Sequence, residues 1–205
     1  MTDRRPPSLL LLGPTGSGKT PLGEVVQARG WRGRRAAHFD FGAQLRRVEA
    51  GAGLASQLTA PERERVGHVL RSGALLEDED FALAGKILRS FTVAHRLQGD
   101  DLLVLNGLPR HRGQAQAMDP LVRMEALVHL RCPPGVVRRR LRADPVGDRL
   151  GRSDDDETLV TAKLEAFHQR TAPLVAYYRD AGVPVLELDV AADTRPEELW
   201  QRCHS

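Results

Sequence analysis

Near the start of the chain, the run Gly13-Pro14-Thr15-Gly16-Ser17-Gly18-Lys19-Thr20 leaves few folds open. It matches the spacing GxxxxGK[ST], directly follows the apolar run Leu9–Leu12 and precedes a helical pattern over Leu22–Ala28. Glycines at these intervals let the backbone turn tightly enough for several N–H groups to converge on one anion. The helix that follows adds the positive end of its dipole. Gly13, Gly16, Ser17 and Gly18 would shape such a cradle. Lys19 would reach the β- and γ-phosphates of a nucleoside triphosphate, and the Thr20 hydroxyl would take Mg²⁺ or a phosphate oxygen. The loop specifies a triphosphate such as ATP; by itself it specifies no reaction.

The rest of the chain supplies the sheet that such a loop requires. Five short apolar runs, Ser8–Leu12, Ala36–Phe41, Asp101–Leu105, Ala126–Cys132 and Val183–Asp189, alternate with helical patterns. Nearly continuous apolar runs of this length read as parallel strands covered on both faces, so the expected class is α/β with a central five-stranded parallel sheet. A long stretch between the second and third runs holds helical patterns at Leu45–Ala50, Glu62–Ser72 and Phe81–His95, and reads as a helical insertion. The polar, Gly-, Asp- and Arg-rich stretch from Ala143 to Asp156 reads as a mobile lid. A long helical pattern over Asp156–Asp180 should be kinked by Pro173.

Composition limits the function classes. With 205 residues the chain can bury the core of one α/β domain. A formal charge of +3, from 30 Lys+Arg against 27 Asp+Glu, is too small to argue for nucleic acid. The cluster Arg138-Arg139-Arg140 suits phosphate groups, or equally a solvated helix face. Cys132 and Cys203 have neither CxxC spacing nor a neighbouring His, which excludes a zinc site or a disulfide framework and fits a reducing cytosol. No apolar stretch reaches membrane-spanning length, and the apolar run near the N-terminus ends in the glycine loop, where a cleavage site would otherwise stand. The seven histidines form no metal-spaced cluster. A cytoplasmic monomer acting on small-molecule nucleotides, with no nucleic-acid or membrane partner, is the expectation.

Three further segments narrow the reaction. Asn106-Gly107-Leu108-Pro109-Arg110-His111-Arg112-Gly113-Gln114 resembles the DGFPRxxxQ segment of adenylate kinases and related nucleoside monophosphate kinases. Gly151-Arg152-Ser153-Asp154-Asp155, then Lys163-Leu164, Thr171-Ala172-Pro173-Leu174 and Tyr177-Tyr178, resemble the family's GRxDD…RL…TxPLxxYY. Gly42-Ala43-Gln44-Leu45-Arg46 is placed like its TGDxLR. Together with the phosphate loop, these segments cover nearly the whole chain in the family's order.

The resemblance implies a single domain with a three-layer P-loop fold. Its core would comprise residues 1–41, 92–142 and 154–205, with a monophosphate-binding insertion at 42–91 and a short lid at 143–153. It implies ATP and Mg²⁺ as cofactors and gives Lys19, Arg110, Arg152 and Lys163 catalytic roles. Arg46, Arg110 and Arg152 would hold the acceptor phosphate or the transferring phosphoryl group. Gln114 would read the acceptor base, and Arg140 would lie near the base and phosphates of ATP. Phe41, Leu76, Gly107 and Lys163 would line the acceptor site, and Thr20 and Asn106, the latter through water, would organise the metal.

This chain also departs from the family pattern. Asn106 stands where the family carries an acidic residue, and keeps the oxygen without the charge. Phe41 and Ala43 replace Thr and Asp, Lys163 replaces an arginine fork with a point charge, and Asp144 falls where many relatives have a lid arginine. The loop itself reads GKTP rather than GKGT. The expected function is therefore phosphoryl transfer from ATP to a nucleoside monophosphate, AMP by default, by a divergent member. The alternative is a nucleotide-binding regulator on the same scaffold with weak or lost transfer. The string GPTGSGKT also resembles tRNA dimethylallyltransferases, but the later segments argue against that assignment.

Overall fold

The computed structural model describes residues 5–143 and 157–204. Its strands are β1 (Pro7–Leu12), β2 (Ala36–Asp40), β3 (Leu102–Asn106), β4 (Arg123–Arg131) and β5 (Val185–Asp189). They form one sheet in the order β2-β3-β1-β4-β5, with every neighbouring pair parallel. The helices are α1 (Lys19–Arg29), α2 (Phe41–Glu49), α3 (Ala60–Ser72), α4 (Phe81–Ala94), α5 (Arg112–Met118), α6 (Pro134–Ala143), α7 (Glu157–Ala166), α8 (Leu174–Asp180) and α9 (Pro196–Arg202).

Period-two alternation along the strands produces the three layers. Leu10, Leu12, Phe39, Leu103 and Leu105 face α2, α3, α4, α5 and α8 in one apolar cluster. Leu9, Leu11, Leu102, Val104, Val128 and Leu130 face α1, α6, α7 and α9 in a second. Leu9 to Leu12 are each at most 2% exposed, and burying one such side chain stabilises the fold by about 1.5–3 kcal/mol. The insertion's buried residues Val66, Val69 and Leu54 belong to the first cluster, so its helices share apolar contacts with the sheet.

The expected elements shift where local chemistry intervenes. Phe41 begins α2 instead of ending β2, because the Asp40 carboxylate accepts the Ala43 N–H and caps the helix. β3 extends to Asn106, which pairs across the sheet with Asp40. β5 begins at Val185, just after Pro184, which has no N–H to give to a ladder. The long helical pattern becomes α7, a π-helical turn at Phe167–Thr171, and α8. The Pro173 ring would collide with a carbonyl one turn back, and the chain widens so that the Ala172 N–H reaches Phe167 O at 2.8 Å.

Cys132 and Cys203 are free and buried, and burial pushes the Cys203 thiol up to about 12, which leaves it chemically quiet. Among the described residues no helix is long and apolar enough to cross a membrane.

Candidate functional site

In this strand order β3 and β4 flank β1 on opposite sides, so the direction of winding reverses at β1, the place where open α/β sheets form a crevice at the carboxyl ends of their strands. The phosphate loop occupies that edge. Gly16 and Gly18 have φ of 72° and 95°, a left-handed conformation that residues with a Cβ adopt only under strain. Lys19 opens α1, and its Nζ donates to the carbonyls of Gly13 at 2.8 Å and Pro14 at 2.7 Å. The ammonium is thereby held over the loop. Ser17 is fully buried, and its Oγ makes no hydrogen bond.

Arg140 lies behind the loop, 4% exposed. Its Nε donates to Gly16 O at 3.0 Å, and its Nη1 donates to the carbonyls of Ala191, Ala192 and Thr194 at 3.0, 3.2 and 2.9 Å. This guanidinium is committed to main-chain carbonyls and ties the loop to the segment after β5. Its geometry is that of a residue that positions the loop.

A second cluster joins three elements beside the loop. The Thr20 hydroxyl donates to Asp40 Oδ2 at 2.6 Å, and Asn106 Nδ2 donates to Asp40 Oδ2 at 3.1 Å and to Thr20 Oγ1 at 3.0 Å. His38 Nε2 lies 3.4 Å from the same amide nitrogen. The amide therefore presents its nitrogen to the carboxylate. Burial works against ionisation of Asp40, but the hydrogen bonds from Thr20 and Ala43 and the charges of His38 and Arg46 outweigh it and hold the pKa below the usual carboxylate range. Burial lowers the His38 pKa despite the pull of Asp40, which favours the neutral ring. Asp40 lies inside the apolar run Ala36–Phe41, which hides it in the sequence as a site residue. An aspartate between a strand and a helical pattern was the available signal, as a helix N-cap.

His38 also explains a glycine in mid-helix. A Cβ on Gly23 of α1 would collide with the His38 imidazole. Alanine in a helix interior normally stabilises by about 0.5–1 kcal/mol over glycine. Here Gly23→Ala is expected to destabilise the protein by about 1–3 kcal/mol, because the ring and the amide bonded to it must move. Urea unfolding measures the sign; a more stable variant would show that the ring has room to turn away.

The acceptor-side residues gather around the segment after β3. Gly107 has φ of 84°, and a Cβ there would lie 3.6 Å from Phe41 Cβ, so these two meet. Arg110 donates its N–H to Gln114 Oε1 at 2.7 Å and accepts the Thr171 hydroxyl on its carbonyl at 2.7 Å. Its main chain is fixed from both sides. Burial lowers the pKa of its guanidinium, and among the described residues no carboxylate offsets that cost. Gln114, 1% exposed, donates from Nε2 to Leu76 O at 2.8 Å, and His111 Nε2 reaches the same carbonyl at 3.0 Å. Each end of the Gln114 amide thus already holds a main-chain partner, which binds α5 to the insertion. The next residue, Glu77, forms a two-pronged ion pair with Arg170 at 2.6 and 2.7 Å.

Arg46 is exposed on α2, close enough for its charge to act on Asp40. Lys163 on α7 brings its Cε to 3.3 Å from where a Cβ on Gly73 would stand, which places it against the insertion. Arg152, Asp144, Asp154 and Asp155, and the expected lid beyond Ala143, lie outside the described residues. Among the described residues no group of three or more His, Cys, Asp or Glu is arranged to hold a metal ion. Thr20 and Asp40 could still supply oxygens to Mg²⁺, which keeps most of its water and takes its remaining ligands from one or two protein groups and substrate phosphates.

No family model matches the chain. It is 35% identical over 182 residues to an adenylate kinase of Synechococcus sp. (strain WH7803), a match covering 85% of this chain and 86% of that protein. It is 33% identical over 201 residues to the adenylate kinase of Parasynechococcus marenigrum (strain WH8102), covering 95% and 94%. Identity to the adenylate kinase of Xylella fastidiosa (strain M23) is 29% over 204 residues, 95% of each chain. Among solved structures, a gluconokinase from Sinorhizobium meliloti 1021 aligns over 98% of this chain and 91% of its own, with a TM-score of 0.52 and 19% identity. That last likeness is one of fold.

Proposed function

The chain belongs to the adenylate kinase family, and we propose that it transfers the γ-phosphoryl group of ATP to a nucleoside monophosphate, with AMP the default acceptor. Arg110 carries this reading: a half-buried cation with no carboxylate against it among the described residues, set by its main chain on the same sheet edge as the phosphate loop. A nucleotide-binding protein needs one anion site; a phosphotransferase between two nucleotides needs two.

In-line phosphoryl transfer asks a protein chiefly for alignment and for compensation of negative charge. The loop N–H groups and Lys19 hold the ATP phosphates, with Lys19 exchanging the Gly13 and Pro14 carbonyls for phosphate oxygens. Arg110 and Arg46 take the acceptor phosphate. Arg152 and Lys163 add positive charge where the resemblance puts them. Gln114, its amide oriented by the Arg110 N–H and the Leu76 carbonyl, would read the acceptor base where the resemblance puts it. Phe41 and Gly107 bound the floor beside it. Thr20, with Asp40 and Asn106 behind it, would hold Mg²⁺, which would supply charge compensation on the phosphates.

The alternative, a nucleotide-binding regulator, draws on the missing charge at Asn106. A coupled assay of ATP with AMP, CMP, UMP, GMP and dGMP in turn decides between them. Turnover with at least one acceptor is expected. ATP binding without turnover on any acceptor would replace the kinase reading with the regulator.

A further inference from the structure

We propose that Asp40 is the carboxylate that orients the metal at the triphosphate, so that the charge missing from Asn106 has been moved one strand over, from the end of β3 to the end of β2. Asp40 and Asn106 are register partners on adjacent parallel strands. Shifting a carboxylate between them displaces it by about one interstrand spacing, 4.7–4.9 Å. That distance is within the span of a hydrogen bond through a metal-bound water. The fold thus offers a second place for the charge that faces the same loop.

The hydrogen bonds fix what each group can do. Thr20 donates its proton to Asp40 Oδ2 at 2.6 Å, so the lone pairs of the hydroxyl are left for a cation or for the Asn106 amide. A carboxylate behind a ligating hydroxyl orients it and raises its basicity. Asn106 presents Nδ2, not Oδ1, to Asp40 and Thr20. An acid at position 106 would set two negative charges about as far apart as this hydrogen bond, whereas an amide donates to the charge already there. Asn106 is thus the neutral partner that fits a relocated acid. Asp40 is also rigid: Oδ1 caps α2 through the Ala43 N–H while Oδ2 serves Thr20 and Asn106.

The inference rests on the ATP site proposed above, and its test needs no acceptor. Calorimetry would give the affinity for a β,γ-imido analogue of ATP with excess Mg²⁺ and with EDTA, for wild type, Asp40→Asn and the exchanged pair Asp40→Asn/Asn106→Asp. Asparagine retains an oxygen for the α2 cap. The Mg²⁺-dependent gain in affinity is expected to fall by on the order of tenfold in Asp40→Asn, the loss typical of groups behind a metal ligand. Affinity in EDTA should hold or improve, since a negative charge near the phosphates is gone. The exchanged pair should recover the gain. Asn106→Asp alone should weaken metal-free binding and enlarge the Mg²⁺ gain, a result that stands even if Asp40→Asn folds poorly. An unchanged gain in Asp40→Asn, an equal loss with and without metal, or no recovery in the exchanged pair overturns the proposal. A wild type that shows the gain but phosphorylates nothing would remove the kinase reading and leave Asp40 in place. A wild type that does not bind the analogue removes both.

Discussion

Lys19→Ala is expected to lower kcat by on the order of 10²-fold or more while leaving the fold and most of the ATP affinity in place. Lys19 Nζ sits 2.7–2.8 Å from the Pro14 and Gly13 carbonyls, which keep the ammonium over the loop until phosphate oxygens replace them. In the transition state charge develops on the β–γ bridge and on the migrating group, and a positioned ammonium is worth more there than in the ground state. The fold tolerates the change because Lys19 opens α1, where alanine is a strong helix former, and because the turn before it is set by Gly18. The two carbonyls lose a donor at the edge of the site, which costs about 1 kcal/mol. The measurements are steady-state turnover with the best acceptor, ATP affinity, and thermal unfolding. Unchanged turnover would remove Lys19 from the mechanism; equal losses in turnover and ATP affinity would make it a binding residue only.

What the sequence made legible was whatever depends on runs and spacing. β1 and β3 are apolar runs buried on both faces, and the glycine loop carries its geometry in its residue types, so both could be located from the chain alone. The fine boundaries could not, because they depend on single side chains such as Asp40, which ends β2 by capping α2. Asn106 is the instructive case. Read alone it is an acid lost; beside Asp40 it is the donor that a buried carboxylate needs, and that relation exists only once β2 and β3 are paired. Arg140 and Gln114 show the same dependence. Their types suggest contact with nucleotide, and the hydrogen bonds that orient them run to main chain distant in the sequence. Glu77 and Arg170 lie 93 residues apart, and nothing in either local pattern announces the pair.

Arg110→Met is expected to disable the acceptor site and, at the same time, to raise the melting temperature. Arg110 is half-buried, and among the described residues no carboxylate offsets the water its guanidinium loses. Arginine does not escape this cost by releasing its proton, since even a lowered pKa leaves it charged at any working pH. The effective penalty for a buried ion is several kcal/mol before compensation, and replacing such a group by an apolar residue of similar volume often stabilises a protein by 1 kcal/mol or more, or roughly 2–4 °C for a chain of this size. The protein holds this cost in reserve until an anion arrives. The acceptor KM should therefore rise by on the order of 10²-fold in the variant while the ATP KM changes little, because the charge-assisted contact proposed for Arg110 with the monophosphate would be lost. Added AMP should raise the melting temperature of wild type, as any ligand of the folded state does, and should raise that of the variant far less. Thermal scans with and without AMP, together with initial rates across both substrates, separate the two effects. A variant that melts lower than wild type would mean the guanidinium is already compensated in the empty protein. A raised KM for ATP with an unaltered KM for the acceptor would place Arg110 on the donor side of the transfer.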